Sequence, residues 1–141
     1  MDVTYDPCAA QVAAHADATS DEIASLDAAL ALWNERGGFR LVRSAEHAGD
    51  SPSLVVRFEE QFGAYRGYYD DEAGEVIVNR RMRGTARTVA IAHELGHAFG
   101  LFHVDGRASL MNRGNLSIAP TADDFAAVSA LWGPCAARPR S

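Results

Sequence analysis

Apolar positions along the chain change their period several times, and each change marks an element. Ile23, Leu26, Leu30 and Trp33 recur at spacings of three, four and three, which is one face of a helix. Thr19-Ser20-Asp21-Glu22 precedes them as a capping box, with a hydroxyl at the cap and a carboxylate three residues on. Gly37-Gly38 supplies the stop. Gln11 to Ala14 is read as a strand ahead of this helix. Four strand candidates follow it: Phe39 to Arg43, Leu54 to Phe58, Ala64 to Tyr69 and the alternating Glu75 to Asn79. The turn-rich Asp70 to Gly74 joins the last two, and Arg80 to Gly84 forms a basic loop. From a cap at Thr85, the segment through Val89, Ile91, Leu95 and Phe99 is apolar nearly all round, which predicts a buried helix ending at Gly100. A last helix opens at Pro120-Thr121, with Thr121 as cap and Asp124 as its reciprocal partner. Its inner face is Phe125, Val128 and either Leu131 or Trp132, and Gly133-Pro134 end it.

Composition narrows the functional classes. A chain of 141 residues that is 48% hydrophobic and 23% charged fits one domain with its own core. The net charge of −6 gives no electrostatic reason to expect a nucleic acid or an anionic membrane as partner. No apolar run reaches the length of a membrane span. The opening residues MDVTYDPCAAQ do not resemble a signal peptide, so an export signal would lie outside this chain. Cys8 and Cys135 stand near opposite ends. A disulfide between them, implying an oxidising compartment, is the favoured reading. Two free thiols, or a Cys8 thiolate that blocks a metal, are the alternatives.

The distinctive chemistry lies in HELGHAFGLFHVDGRASLMN, His93 to Asn112, which holds three of the five histidines. His93 and His97 are one helical repeat apart, so both imidazoles can reach one metal ion at about 2.0–2.1 Å. Burying them in an apolar helix is costly without such a partner. Glu94 lies about 100° round the helix from His93. That is too far round for a convenient ligand and well placed for a general base acting on a metal-activated water. Gly100 lets the chain bend back through positive φ, so that His103 approaches from another side. Three neutral nitrogens leave the fourth position of a tetrahedral ion open, as a catalytic site requires.

The pattern H-E-x-x-H-x-x-G-x-x-H with a following methionine, Met111, resembles the signature of metzincin zinc endopeptidases. Within that clan the chain is most similar to matrixins, whose catalytic domain ends in a helix like TADDFAAVSALWG, Thr121 to Gly133. The likeness implies one α+β metallopeptidase domain over residues 1–141. Its upper part, about 1–100, would hold a twisted five-stranded mixed sheet with an antiparallel edge strand and two long helices. A small lower part, about 101–135, would hold the methionine turn and the final helix. One zinc ion would be held by His93, His97 and His103, with Glu94 as general base and Met111 as an apolar floor that does not bind it. An extended peptide would lie along the edge strand, Gly63 to Asp70, against Tyr65 and Gly67. A side-chain pocket would be lined by the helix around Val89 and by Asn112, Arg113 and Gly114. Asn112 and Arg113 stand where matrixins usually carry tyrosine and proline, a departure that bears on pocket shape. The implied protein is a secreted or cell-envelope monomer acting on a peptide or protein. The other readings are a zinc-stabilised protein-binding domain and a protease restricted to one partner protein.

The remaining candidates have plainer readings. Asp70, Asp71, Glu72 and Glu75 offer oxygens of the kind calcium takes, yet their spacing matches no calcium loop, and a solvated turn is preferred. His15 and His47 are too far apart and too unpatterned to suggest a second zinc site. Arg80, Arg81, Arg83 and Arg87 read as a solvated basic face. Asp105 reads as a turn former, and Asp123 or Asp124 as a tie between the last helix and the loop before it.

Overall fold

The computed structural model describes residues 3–44, 53–60 and 66–135. Its elements in chain order are β1 (Gln11–Ala14), α1 (Ser20–Gly37), β2 (Val42–Ser44), β3 (Leu54–Glu59), β4 (Gly67–Asp70), β5 (Glu75–Asn79), α2 (Gly84–Ala98) and α3 (Ala122–Trp132). The strands form one five-stranded sheet in the order β2-β1-β3-β5-β4. β1 runs parallel to β2 and β3, and β3 runs parallel to β5. β4 closes one edge antiparallel to β5, with Tyr68 opposite Ile77. The α+β architecture and the mixed sheet with an antiparallel edge strand are therefore as expected. No helix among the described residues is long and apolar enough to cross a membrane.

The core explains the helix pairing. Leu26, Leu30 and Trp33 of α1 are buried, as are Ile91, Leu95 and Ala98 of α2. Trp33 sits at their junction, where its indole N–H donates to the Ala92 carbonyl at 3.1 Å. Its ring meets Phe99 and Phe125 edge-on, with centroids 5.3 and 5.8 Å away. One aromatic side chain thus joins α1, the end of α2 and α3. Of the apolar residues on α3, Val128 is buried, while Leu131 is 56% exposed. Trp132 instead donates its indole N–H to the Phe99 carbonyl.

Two boundaries and one charge reading differ from expectation, and a third boundary falls partly outside the described residues. β2 starts at Val42 rather than Phe39 because Leu41 is already engaged. Its N–H donates to the Asn34 side-chain oxygen, and its carbonyl accepts from the Asn34 amide. β4 begins at Gly67 within the described residues, and Ala64 and Tyr65 lie outside them. α2 begins at Gly84 after Arg83, which makes no side-chain cap, and Thr85 is not the cap. The arginines of this loop are also not a simple solvated face. Arg87 is buried, donating to Ser25 Oγ and to the Asp21 carbonyl, while Arg80 pairs with the buried Glu22 at 2.9 Å.

Cys8 and Cys135 are joined, with Cα atoms 5.3 Å apart. The bond spans 127 positions, and a crosslink of such length chiefly restricts the unfolded chain. Replacing both cysteines by serine is expected to lower stability by about 2–5 kcal/mol in urea unfolding. An unchanged midpoint would mean that other contacts hold the two ends.

Candidate metal centre

Helix α2 brings His93 and His97 onto one face, and its C-terminus brings in His103. Gly100 has φ +106°, the left-handed region that favours glycine. Its N–H donates to the His97 carbonyl and the Leu101 N–H to the Gly96 carbonyl, a Schellman end that reverses the chain. The ligand atoms of His93, His97 and His103 lie within 4.8 Å of one another, and these three residues could hold a metal ion. Between Nε2 of His97 and Nε2 of His103 the distance is 3.2 Å. That is close to the ~3.3 Å edge between two nitrogens placed 2.0–2.1 Å from a tetrahedral ion.

The proton positions of the helical pair also fit a metal. Nδ1 of His93 lies 2.7 Å from the Leu110 carbonyl, and Nδ1 of His97 lies 2.7 Å from the Leu101 carbonyl. A carbonyl only accepts, so each Nδ1 carries the proton and each Nε2 keeps its lone pair. Burial pushes both imidazoles down, His97 to about 4, so both stay neutral and ready to ligate. His103 is exposed, and its Nδ1 accepts from the Arg113 guanidinium at 3.1 Å. With Nε2 of His103 as a ligand, Nδ1 would carry the proton and this contact would be given up. Arg113, 69% exposed and 3.8 Å from Asp105, is free to turn outward.

Glu94 is 8% exposed, and burial raises its carboxyl to about 7. It lines both cavities that flank the histidines, one of 420 Å³ and one of 230 Å³. The edge strand passes beside it at Gly67, where an added Cβ would sit 3.6 Å from Glu94 Cγ and 2.7 Å from the Ile77 carbonyl oxygen. The bare backbone of Gly67 therefore keeps the cleft open next to the carboxylate.

The floor is built from the loop before α3. Met111 is fully buried with its sulfur against α2, where a Cβ on Gly96 would come within 2.5 Å of it. Asp124, also buried, accepts from Ser109 Oγ at 2.6 Å and from the N–H groups of Leu110 and Thr121 at 2.9 Å. It thus holds Leu110, whose carbonyl fixes the ring of His93. Of the two acidic candidates for this tie, Asp124 makes it and Asp123 instead faces Arg107 at 3.6 Å. Asp124→Ala is expected to cost about 1–3 kcal/mol through the buried donors it leaves unpaired. The same change should weaken metal binding by roughly 10–100-fold, as loss of an outer-shell partner does. Competition with a chelating dye reads the second effect; unaltered affinity would remove Asp124 from the positioning of His93.

The expected pocket residues divide. Gly67 lines both cavities. Val89 is packed in the core and lines neither; its neighbour Ala90 faces the smaller one. Asn112 pins its own loop, donating to the Val104 and Arg107 carbonyls. Gly114 lines the smaller cavity, together with Asn115 and Leu116, which sequence reading missed. Tyr65 and His47 lie outside the described residues. His15 bonds Asp17 at 2.8 Å, and Asp70 accepts from the backbone of Glu72 and Ala73 within its own turn. In comparison with known proteins, no family model matches the chain and no curated protein matches it significantly.

Proposed function

We propose that the protein is a zinc-dependent endopeptidase that resembles the metzincins and, among them, the matrixins. The observation that carries this reading is the histidine triad with Glu94 beside it. Two imidazoles are locked in the ligating tautomer, a third nitrogen stands at a tetrahedral edge distance, and a buried carboxylate lines the cleft on both sides. An all-imidazole donor set suits zinc, and three such ligands with an open position are the pattern of catalytic zinc.

When bound, the ion supplies Lewis acidity for hydrolysis of a carbonyl compound. The chain's own residues do the rest. Glu94, shielded from bulk solvent, takes a proton from the attacking water and returns it to the leaving nitrogen. Strand β4 lies at the sheet edge, where an extended peptide would dock, with Gly67 allowing close approach to Glu94. The disulfide supports a secreted or cell-envelope location.

The test is cleavage of unfolded casein by metal-loaded protein, with metal content measured first. Zinc near one per chain and cleavage abolished by a chelator are expected. Zinc at that level without cleavage of casein would remove the general-endopeptidase reading and favour a zinc-stabilised binding domain or a protease restricted to one partner.

A further inference from the structure

We propose that the larger cavity, walled on its far side by the N-terminal segment Val3–Thr4, selects a bulky apolar or aromatic side chain of the substrate. The smaller cavity beside the methionine loop does not make this selection. The proposal rests on the peptidase reading for the meaning of "substrate" but not for the binding itself.

Size comes first. At 420 Å³ the larger cavity falls within the range of small-molecule sites, whereas 230 Å³ lies below it. Lining chemistry agrees. The larger cavity is bounded by Val3, Tyr68, Tyr69, Leu101 and Phe102, and the smaller one includes Arg66, His93 and Asn115. Phe102 is 85% exposed and Tyr68 44%, so two aromatic rings stand at the rim of a concave apolar surface. Apolar rings in water at a cavity mouth gain most from a second apolar or aromatic group. Among the described residues of this lining, the carboxylates are Asp71 and Glu94 and there is no arginine; His97 and His103 stand at its inner end. At the apolar rim, away from His97 and His103, an acidic side chain is therefore disfavoured.

The wall is built to keep its shape. Val3 N–H donates to the Asp71 carbonyl at 2.7 Å, and the Tyr69 hydroxyl donates to the Val3 carbonyl. Tyr5 N–H donates to the Ala98 carbonyl at 2.9 Å, at the end of α2. The Tyr5 hydroxyl donates to the Gly74 carbonyl at 2.9 Å, and an added Cβ on Gly74 would come within 2.6 Å of that oxygen. Three residues beyond Tyr5, the disulfide at Cys8 fixes the segment again. The N-terminal segment thus bridges the β4–β5 turn and the end of α2, and a wall fixed before binding saves the cost of ordering it. Neither Val3 nor Thr4 belongs to the histidine pattern, so this assignment comes from the fold alone.

The experiment is an NMR titration of metal-loaded protein with N-acetyl-phenylalaninamide, N-acetyl-alaninamide and N-acetyl-glutamate amide. Saturable shifts at Val3, Thr4, Tyr68 and Phe102 are expected for the phenylalanine probe, at least ~10-fold tighter than for alanine, and no saturable shift at these four residues for glutamate. Thr4→Trp, at an exposed position, fills the cavity and should weaken the phenylalanine probe ~10-fold or more, while Leu116→Trp in the smaller cavity leaves it bound. Shifts centred on Ala90, Asn115 and Leu116, or no saturable shift in either cavity, would overturn the proposal. Cleavage-site profiling of a peptide library then separates the two readings. Phenylalanine binding here without cleavage of any peptide sinks the peptidase reading and leaves the cavity assignment. Cleavage that shows no aromatic or apolar preference, and no change in Thr4→Trp, sinks the cavity assignment and leaves the peptidase.

Discussion

Glu94→Gln is expected to retain its metal while peptide hydrolysis falls by about 10²–10⁴-fold, the usual contribution of a positioned general base. The substitution keeps the shape of the side chain and removes only its capacity to take and return a proton. Hydrolysis by the glutamine variant at the wild-type rate would refute the role assigned to Glu94. A second readout is independent of turnover. In metal-free protein, burial raises this carboxyl from the ordinary 4.5 to about 7. The folded state therefore holds its proton to higher pH than the unfolded state does. Stability from this group is complete below about pH 4.5 and is lost as the pH rises through 7, where a charge is left in an apolar setting. The difference amounts to at most about 3 kcal/mol. Metal-free Glu94→Gln should thus be more stable than metal-free wild type at pH 8 and nearly equal to it at pH 4.5. Thermal unfolding at the two pH values checks this, and equal differences at both would show that Glu94 is solvated.

What could be read in the sequence was what depends on neighbours in the chain. Both capping boxes, Thr19 with Glu22 and Thr121 with Asp124, form as expected because each needs only four consecutive residues. The histidine pattern was legible for the same reason. Helical spacing sets His93 against His97, and one glycine conformation returns the chain to His103. Long-range partners were not legible. Asn34 takes up Leu41 and shifts β2, and Ser25 draws Arg87 into the interior. Nothing near either residue in the sequence announces this. The cleft walls are the extreme case. Val3, Tyr68 and Phe102 meet only because the sheet and the end of α2 assemble them. The pocket that the metzincin likeness put around Val89 lies beside Ala90 instead, because Val89 is taken up by the core.

The effect of pH on metal binding offers the strongest check on the centre itself. Removing a ligand by His97→Ala is expected to lower affinity by more than the roughly 10–100-fold that loss of an outer partner costs. The centre should also bind metal with an unusual proton count. Three ordinary imidazoles, titrating near 6.5, would together release about two protons on binding a metal at pH 6. Here burial lowers His93 and holds His97 at about 4, so His97 has almost no proton to give up at pH 6. His103, lowered first by burial and then by the Arg113 charge, also releases less than an ordinary imidazole. The sum from the histidines is clearly below two; the Glu94 carboxyl, raised to about 7, is a further proton source beside the metal, so the count is taken on Glu94→Gln. The metal-free fold carries the reverse of this benefit. Its stability from His97 is complete above pH 6.5 and is lost as the pH falls towards 4, because the unfolded chain takes up the proton first. Isothermal titration of zinc in two buffers of different ionisation enthalpy gives the proton count directly. Release of two or more protons at pH 6 by the Glu94→Gln variant would mean that His93 and His97 are open to solvent and not held on the carbonyls of Leu110 and Leu101. The pre-set tautomer, on which the case for a catalytic metal rests, would then be lost.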